Sequence, residues 1–157
     1  MNNKFDHVLN QAIVETLDEK WYCIPLGGDE YLIKATMEQA KQIIATRFDI
    51  PSEKLNASPL ITTGNTSIRH VRGSVTTLIE LPNSSKWFYA NFISGEYFIK
   101  ANSSDQVRQT IVSRFEEFLK KNNESWEDNG KTPEDINIIP LNANGDQWTF
   151  RCYTIID

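Results

Sequence analysis

Arg69-His70-Val71-Arg72 is the one place where cationic side chains gather without acids, since no Asp or Glu occurs between Glu53 and Glu80. The preceding Thr62-Thr63-Gly64-Asn65-Thr66-Ser67 supplies hydroxyls and one glycine, through which backbone amides can approach an anion. Arg69, His70 and Arg72 are therefore candidate phosphate contacts; the alternative is a merely solvated loop or hairpin tip. The stretch is not a nucleotide-binding P-loop, because no Gly-Lys-Ser/Thr follows Gly64.

Lys34 with Glu30, and Lys100 with Glu96, form a second pairing of charge types. Strand alternation places Lys34 opposite Tyr31 and Ile33, where a lysine ordinarily snorkels from a half-solvated sheet face or blunts an edge. Tyr22, Phe88, Tyr89 and Phe98 lie on neighbouring strand segments. Aromatics interleaved with lysine can stack single-stranded bases; the same residues also suit a core beneath the helices. Histidine is scarce: His7 and His70 each lack a second ligand one helical turn away. Cys23 and Cys152 read as reduced, packed residues. No catalytic residue, metal site or cofactor is expected.

These residues sit on a stretch that occurs twice. Trp21, Glu30, Tyr31, Ile33, Lys34 and Ala35 recur 66 positions later as Trp87, Glu96, Tyr97, Ile99, Lys100 and Ala101. Gln39, Gln42, Ile44, Arg47 and Phe48 recur 67 positions later as Gln106, Gln109, Ile111, Arg114 and Phe115. Leu55-Asn56-Ala57-Ser58-Pro59-Leu60 answers Ile136-Asn137-Ile138-Ile139-Pro140-Leu141 at a shift of 81. Such self-similarity decides the fold before any single element does.

Trp21 to Leu26 and Glu30 to Ala35 read as strands around a Gly27-Gly28-Asp29 turn, matched by Trp87 to Ile93 and Glu96 to Ala101. Thr36 with Gln39, and Ser103 with Gln106, have capping-box spacing before each helix. Further strands are expected at Leu60 to Thr63, Val75 to Leu81, Ile136 to Leu141 and Gln147 to Ile156. Pro82-Asn83-Ser84-Ser85 reads as the turn of a hairpin joining the copies. Phe5, Val8, Leu9, Ala12, Ile13 and Leu17 predict an amphipathic helix over 4–19. The expected fold is thus α+β, a tandem duplication of a ββαββ unit with antiparallel sheet and helix. Its parts are an N-terminal helix in 1–20, a first repeat in 21–82 and a second in 83–157, packed as one compact domain.

The copies differ most after the helix. From Phe48 to Leu55 is 7 positions, whereas Phe115 to Ile136 is 21. The extra residues lengthen the helix and add a polar loop over 122–135, longer than most structureless connections. Trp126 stands there among Glu124, Glu127 and Asp128. A tryptophan flanked by acids suits an anchor in a partner's pocket with a basic rim; the alternative is that it folds back on its own helix.

The chain has 157 residues, 16 basic and 21 acidic, for a formal charge of −5. An acidic balance argues against a dedicated DNA-binding surface. No run is apolar enough for a membrane helix, and the N-terminus has no signal-peptide pattern. The expected function is a non-enzymatic, cytoplasmic protein-binding module, an inhibitor, immunity or adaptor protein of bacterial or phage-like kind. Its partner would be another protein with a basic surface. The alternative is a nucleic-acid or nucleotide binder using Arg69–Arg72 and the sheet aromatics.

Overall fold

A computed structural model describes residues 19–71 and 73–157, and among these the fold is α+β, with two helices and two six-stranded mixed sheets. The expected N-terminal helix falls almost wholly outside the described residues, as does Arg72. The chain then runs β1 (Lys20–Leu26), β2 (Asp29–Ala35), α1 (Met37–Phe48), β3 (Ser58–Pro59), β4 (Ile61–Thr63), β5 (Thr66–Val71) and β6 (Ser74–Glu80). It continues through β7 (Lys86–Phe92), β8 (Gly95–Ala101), α2 (Ser104–Lys121), β9 (Asn137–Pro140), β10 (Asn142–Asn144), β11 (Gln147–Phe150) and β12 (Tyr153–Ile156). The described residues through Leu60 and the segment Ala143–Asp157 form one compact unit; Ile61–Asn142 form the other. These borders differ from the repeat borders at 82 and 83.

Each unit has the same internal order of strands. The first sheet reads β10-β11-β12-β2-β1-β3, and the second β4-β5-β6-β8-β7-β9. Registers agree as well. In the parallel pair β12–β2, Tyr153 faces Glu30 and Ile156 faces Ile33; in β6–β8, Thr76 faces Glu96 and Ile79 faces Ile99. Tyr22 faces Pro59 and Phe88 faces Pro140 at the other edge. The amide of Leu60 donates to the Trp21 carbonyl at 2.9 Å, and that of Leu141 to the Trp87 carbonyl at 3.0 Å.

The local elements form for reasons visible in their residues. Gly27 and Gly28 both take positive φ, 61° and 89°, which a two-residue hairpin turn requires and glycine meets without strain. Thr36 and Gln39 close the capping box of α1: the Gln39 amide donates to Thr36 Oγ1 at 3.2 Å, and the Thr36 amide to Gln39 Oε1 at 3.1 Å. Ser103 Oγ accepts from the Gln106 amide at 3.3 Å, but Gln106 Oε1 takes the Asn102 amide instead, at 2.8 Å. α1 ends where Asp49 turns left-handed, with φ 52°.

Three expectations about the sheets are corrected. The sheets are mixed rather than antiparallel, because the last long strand of each sheet's meander pairs in parallel with β2 or β8. The hairpin between Leu81 and Trp87 does not form, since β8 lies between β6 and β7. Phe98 and Ile99, on opposite faces of β8, are both fully buried, and such a strand takes a neighbour on each side. The segment 82–85 still turns, tied by the Asn102 side-chain amide donating to the Asn83 carbonyl at 2.9 Å. Finally, each repeat has more strands than expected: Thr66–Val71 is a strand, and Gln147–Ile156 is two, broken where Arg151 takes φ 51°.

One helix is packed against each sheet. Tyr22, Ile24, Tyr31, Ile33 and Ile156 meet Ala40 and Ile44 of α1 in the first core. Phe88, Phe92, Ile99 and Ile79 meet Val107, Ile111, Phe115 and Leu119 of α2 in the second. Trp21, Cys23, Leu32, Trp87, Tyr89 and Phe98 alternate with these along the strands and are buried too. Phe48 departs from its counterpart: it is 44% exposed, leaning edge-on against Tyr31, while Phe115 is 8% exposed. α1 stops at Phe48, so no further turn covers that ring.

In the first unit, Arg47 pins α1 to the β10–β11 turn. Its Nη2 donates to both Asp146 carboxylate oxygens, at 2.8 and 2.7 Å, and its Nη1 to Gln147 Oε1 at 2.6 Å. The hydrogen bond from Arg47 holds the Asp146 carboxyl below its ordinary range. A carboxyl depressed in the folded state stabilises above its unfolded pKa, and the gain is lost as pH falls through the folded one. Because the pair is solvent-screened, Asp146→Asn is expected to cost only about 0.5 kcal/mol at neutral pH. The cost should shrink as pH falls through the folded value, which lies below the ordinary carboxylate range. Urea titrations at neutral and at acid pH check this.

Candidate functional site

The sequence candidates scatter. Arg69 and His70 lie on β5, a strand flanked by β4 and β6, rather than on a loop or hairpin tip; His70 is exposed and Arg69 half-buried. The hydroxyls before them serve the strand pair, with Thr62 Oγ1 and Ser67 Oγ 2.9 Å apart. Tyr22, Phe88, Tyr89 and Phe98 are buried, so no base can stack on their rings. Glu96 accepts a hydrogen bond from the Tyr89 hydroxyl at 2.9 Å, which in turn accepts from Asn91 Nδ2 at 3.3 Å. That chain gives the recurring glutamate a structural task. Cys23 is buried as expected, whereas Cys152 is exposed where the chain turns between β11 and β12. Among the described residues, no three His, Cys, Asp or Glu side chains gather as a metal-binding group, and no helix is long and apolar enough to cross a membrane.

The segment after Phe115 is different. α2 has 18 residues against 12 in α1, and its last turns carry Glu116, Glu117, Phe118, Lys120 and Lys121. The loop that follows is ordered by its own polar groups. Ser125 and Asp128 exchange hydrogen bonds, the Ser125 amide donating to Asp128 Oδ2 at 2.8 Å and the Asp128 amide to Ser125 Oγ at 3.2 Å. Asn129 Nδ2 donates to Glu124 Oε2 at 3.2 Å. The Thr132 amide donates to Asp135 Oδ2 at 2.7 Å across a 3-10 turn over Pro133–Asp135, and Arg108 donates to the Pro133 and Ile136 carbonyls.

Trp126 folds back. Its ring sits edge-on to Phe115 at 4.7 Å and tilted against Phe92 at 6.0 Å, half-buried beside the second core. It braces the helix end rather than projecting from it. Glu124, Glu127 and Asp128 around it are exposed. Residues 116–135 hold Lys120, Lys121 and Lys131 against seven acids, a net −4 within a chain of net −5. All seven carboxylate residues are exposed.

A groove of about 480 Å³ lies between α2, the β7–β8 turn and β6, where Val75 and Thr77 line it. Phe115, Phe118 and Arg114 form its helical wall, and Phe92 and Ile93 its turn wall. Tyr97 lies on its floor, its ring so close to Gly95 that a side chain there would meet it at 3.0 Å. Ile93 and Phe118 are 54% and 49% exposed. Sequence reasoning overlooked this groove, although the substitution of Ile93-Ser94 for Gly27-Gly28 was a readable signal. Comparison with protein-family models, curated proteins and solved structures finds no match for the chain.

Proposed function

We propose that the chain is a non-enzymatic, cytoplasmic protein-binding module of the inhibitor, immunity or adaptor kind, working through the acidic extension of residues 116–135. The observation that carries this reading is the concentration of nearly the whole net charge on one ordered, solvent-facing segment. Complementary charge steers encounter and selects partners more than it adds affinity, so the partner presents a basic surface. The reading moves the anchoring role away from Trp126, whose ring is committed to Phe115 and Phe92.

The common registers of the two units support tandem duplication as the origin of the chain. The extension is then the part that one copy gained, grafted onto a scaffold that both keep. Surface loops on a rigid scaffold are where function ordinarily resides.

The test is capture from the native cell extract by immobilised protein, comparing wild type with a variant in which Glu116, Glu117, Glu124, Glu127 and Asp128 become amides. Wild type should retain a defined protein that the variant loses, while both melt alike. Retention of nucleic acid, released steeply by salt and abolished by Arg69→Ala, would overturn the reading in favour of a phosphate-binding surface.

A further inference from the structure

We propose that each repeat is a strand-exchange module whose partner is another copy of the repeat, so that a second copy of this chain can accept its strands. The basis is which repeat supplies each strand, and the acidic extension plays no part in it. In the first sheet, β1, β2 and β3 come from the first repeat, whereas β10, β11 and β12 come from the second. In the second sheet, β7, β8 and β9 come from the second repeat, and β4, β5 and β6 from the first. Neither sheet is built by one repeat. Each repeat keeps its first three strands with its own helix and gives its last three to the other.

Chain reach makes the exchange compulsory. Leu60 alone separates β3 from β4, and Leu141 alone separates β9 from β10. For the first repeat to complete its own sheet, β4 would have to take the place of β10, at the edge opposite β3. Neighbouring strands lie about 4.8 Å apart, so the far edge of a six-stranded sheet is about 24 Å away. The two residue steps from Pro59 to Ile61 span at most about 7 Å. Both crossings are also pinned: Leu60 and Leu141 are buried, and their amides are held by the Trp21 and Trp87 carbonyls. The last three strands of a repeat must therefore enter the sheet of a different copy.

The accepting edges are alike. Thr154 lies opposite Tyr31 and Ile156 opposite Ile33 on β2, as Thr77 lies opposite Tyr97 and Ile79 opposite Ile99 on β8. Nothing in that register distinguishes strands of the same chain from strands of a second copy. The distinction comes from the covalent tether, which holds the other repeat at an effective concentration on the order of millimolar. An exchanged pair keeps every strand contact of the closed chain, which is why domain swapping is an easy route to dimers. The chain is in this sense a strand-exchanged dimer joined through the turn at 82–85.

The experiment uses the full chain with a protease site inserted between Ser84 and Ser85, cut after folding, in one isotopically light and one heavy batch. Native mass spectrometry should show the two cut halves of each batch together as one particle, because both sheets still hold strands of both halves. Light and heavy samples mixed without denaturant should form no mixed pairs overnight, since release requires a six-stranded sheet to open. Unfolded together in urea and refolded, they should give mixed pairs as often as matched ones, each half having accepted the strands of a second copy. Halves that separate under native conditions, or that lose their fold on cutting, would overturn the proposal. So would halves that trade partners without denaturant, which would mean surface docking alone, or that give no mixed pairs after refolding.

Discussion

Trp87→Ala is expected to lower stability by about 3–5 kcal/mol, the range for emptying a buried aromatic site. The indole is wholly inaccessible to solvent on β7, which is paired on both sides, with β8 and β9. Neighbouring backbone cannot close the space, because the Trp87 carbonyl is already held by the Leu141 amide and its register partner is Lys100. Single domains are stable by about 5–15 kcal/mol, so the variant should lose much of its folded population on mild heating. Equilibrium urea denaturation measures it. An unchanged midpoint would mean that the ring is not in a core. Phe48→Ala offers the contrast: that ring is 44% exposed, and its loss should cost well under half as much.

Trp126→Ala is expected to cost about 2 kcal/mol, roughly half the value for a fully buried aromatic, because its ring is half-buried. Its edge-on contact with Phe115 adds a specific aromatic term of about 0.5–1.5 kcal/mol. Losing it would uncover Phe115 and Phe92 and loosen the end of α2, so partner affinity should fall as well, through disorder of the extension. Denaturation and affinity measured on the same variant separate the roles. Lost affinity with an unchanged midpoint would return Trp126 to the anchoring role that its acidic flanks suggested.

The sequence was most informative where a residue's type answers to its own backbone. The Gly27-Gly28 turn, the Thr36 cap and the run of α2 to Lys121 are local events, and local chemistry specifies them. Recurrence marks Trp21, Trp87, Phe48 and Phe115 alike as core sites; the first two and Phe115 are buried, whereas Phe48 is 44% exposed. Strand partners were not legible. Alternation along β6 and β12 says which face a residue takes, but not that Ile79 will lie beside Ile99 or Ile156 beside Ile33. A strand buried on both faces carries no mark of its neighbours.

The candidate site was half legible. Counting residues between Phe115 and Ile136 located the extension, and its acids are exposed as expected. Composition could not say which way Trp126 turns. That choice is set by the vacancy beside Phe92 and Phe115, a tertiary fact. Arg69 and His70 misled for a related reason: hydroxyls and a glycine suggest a loop, yet Thr66–Val71 alternates well enough to pair with both β4 and β6.

Hydrogen exchange on the chain with and without the protein it captures tests the central claim most directly. Slowed exchange is predicted through the extension, residues 116–135, with β5 unchanged. Protection confined to β5 around Arg69 and His70, with the extension exchanging as freely as before, would contradict it.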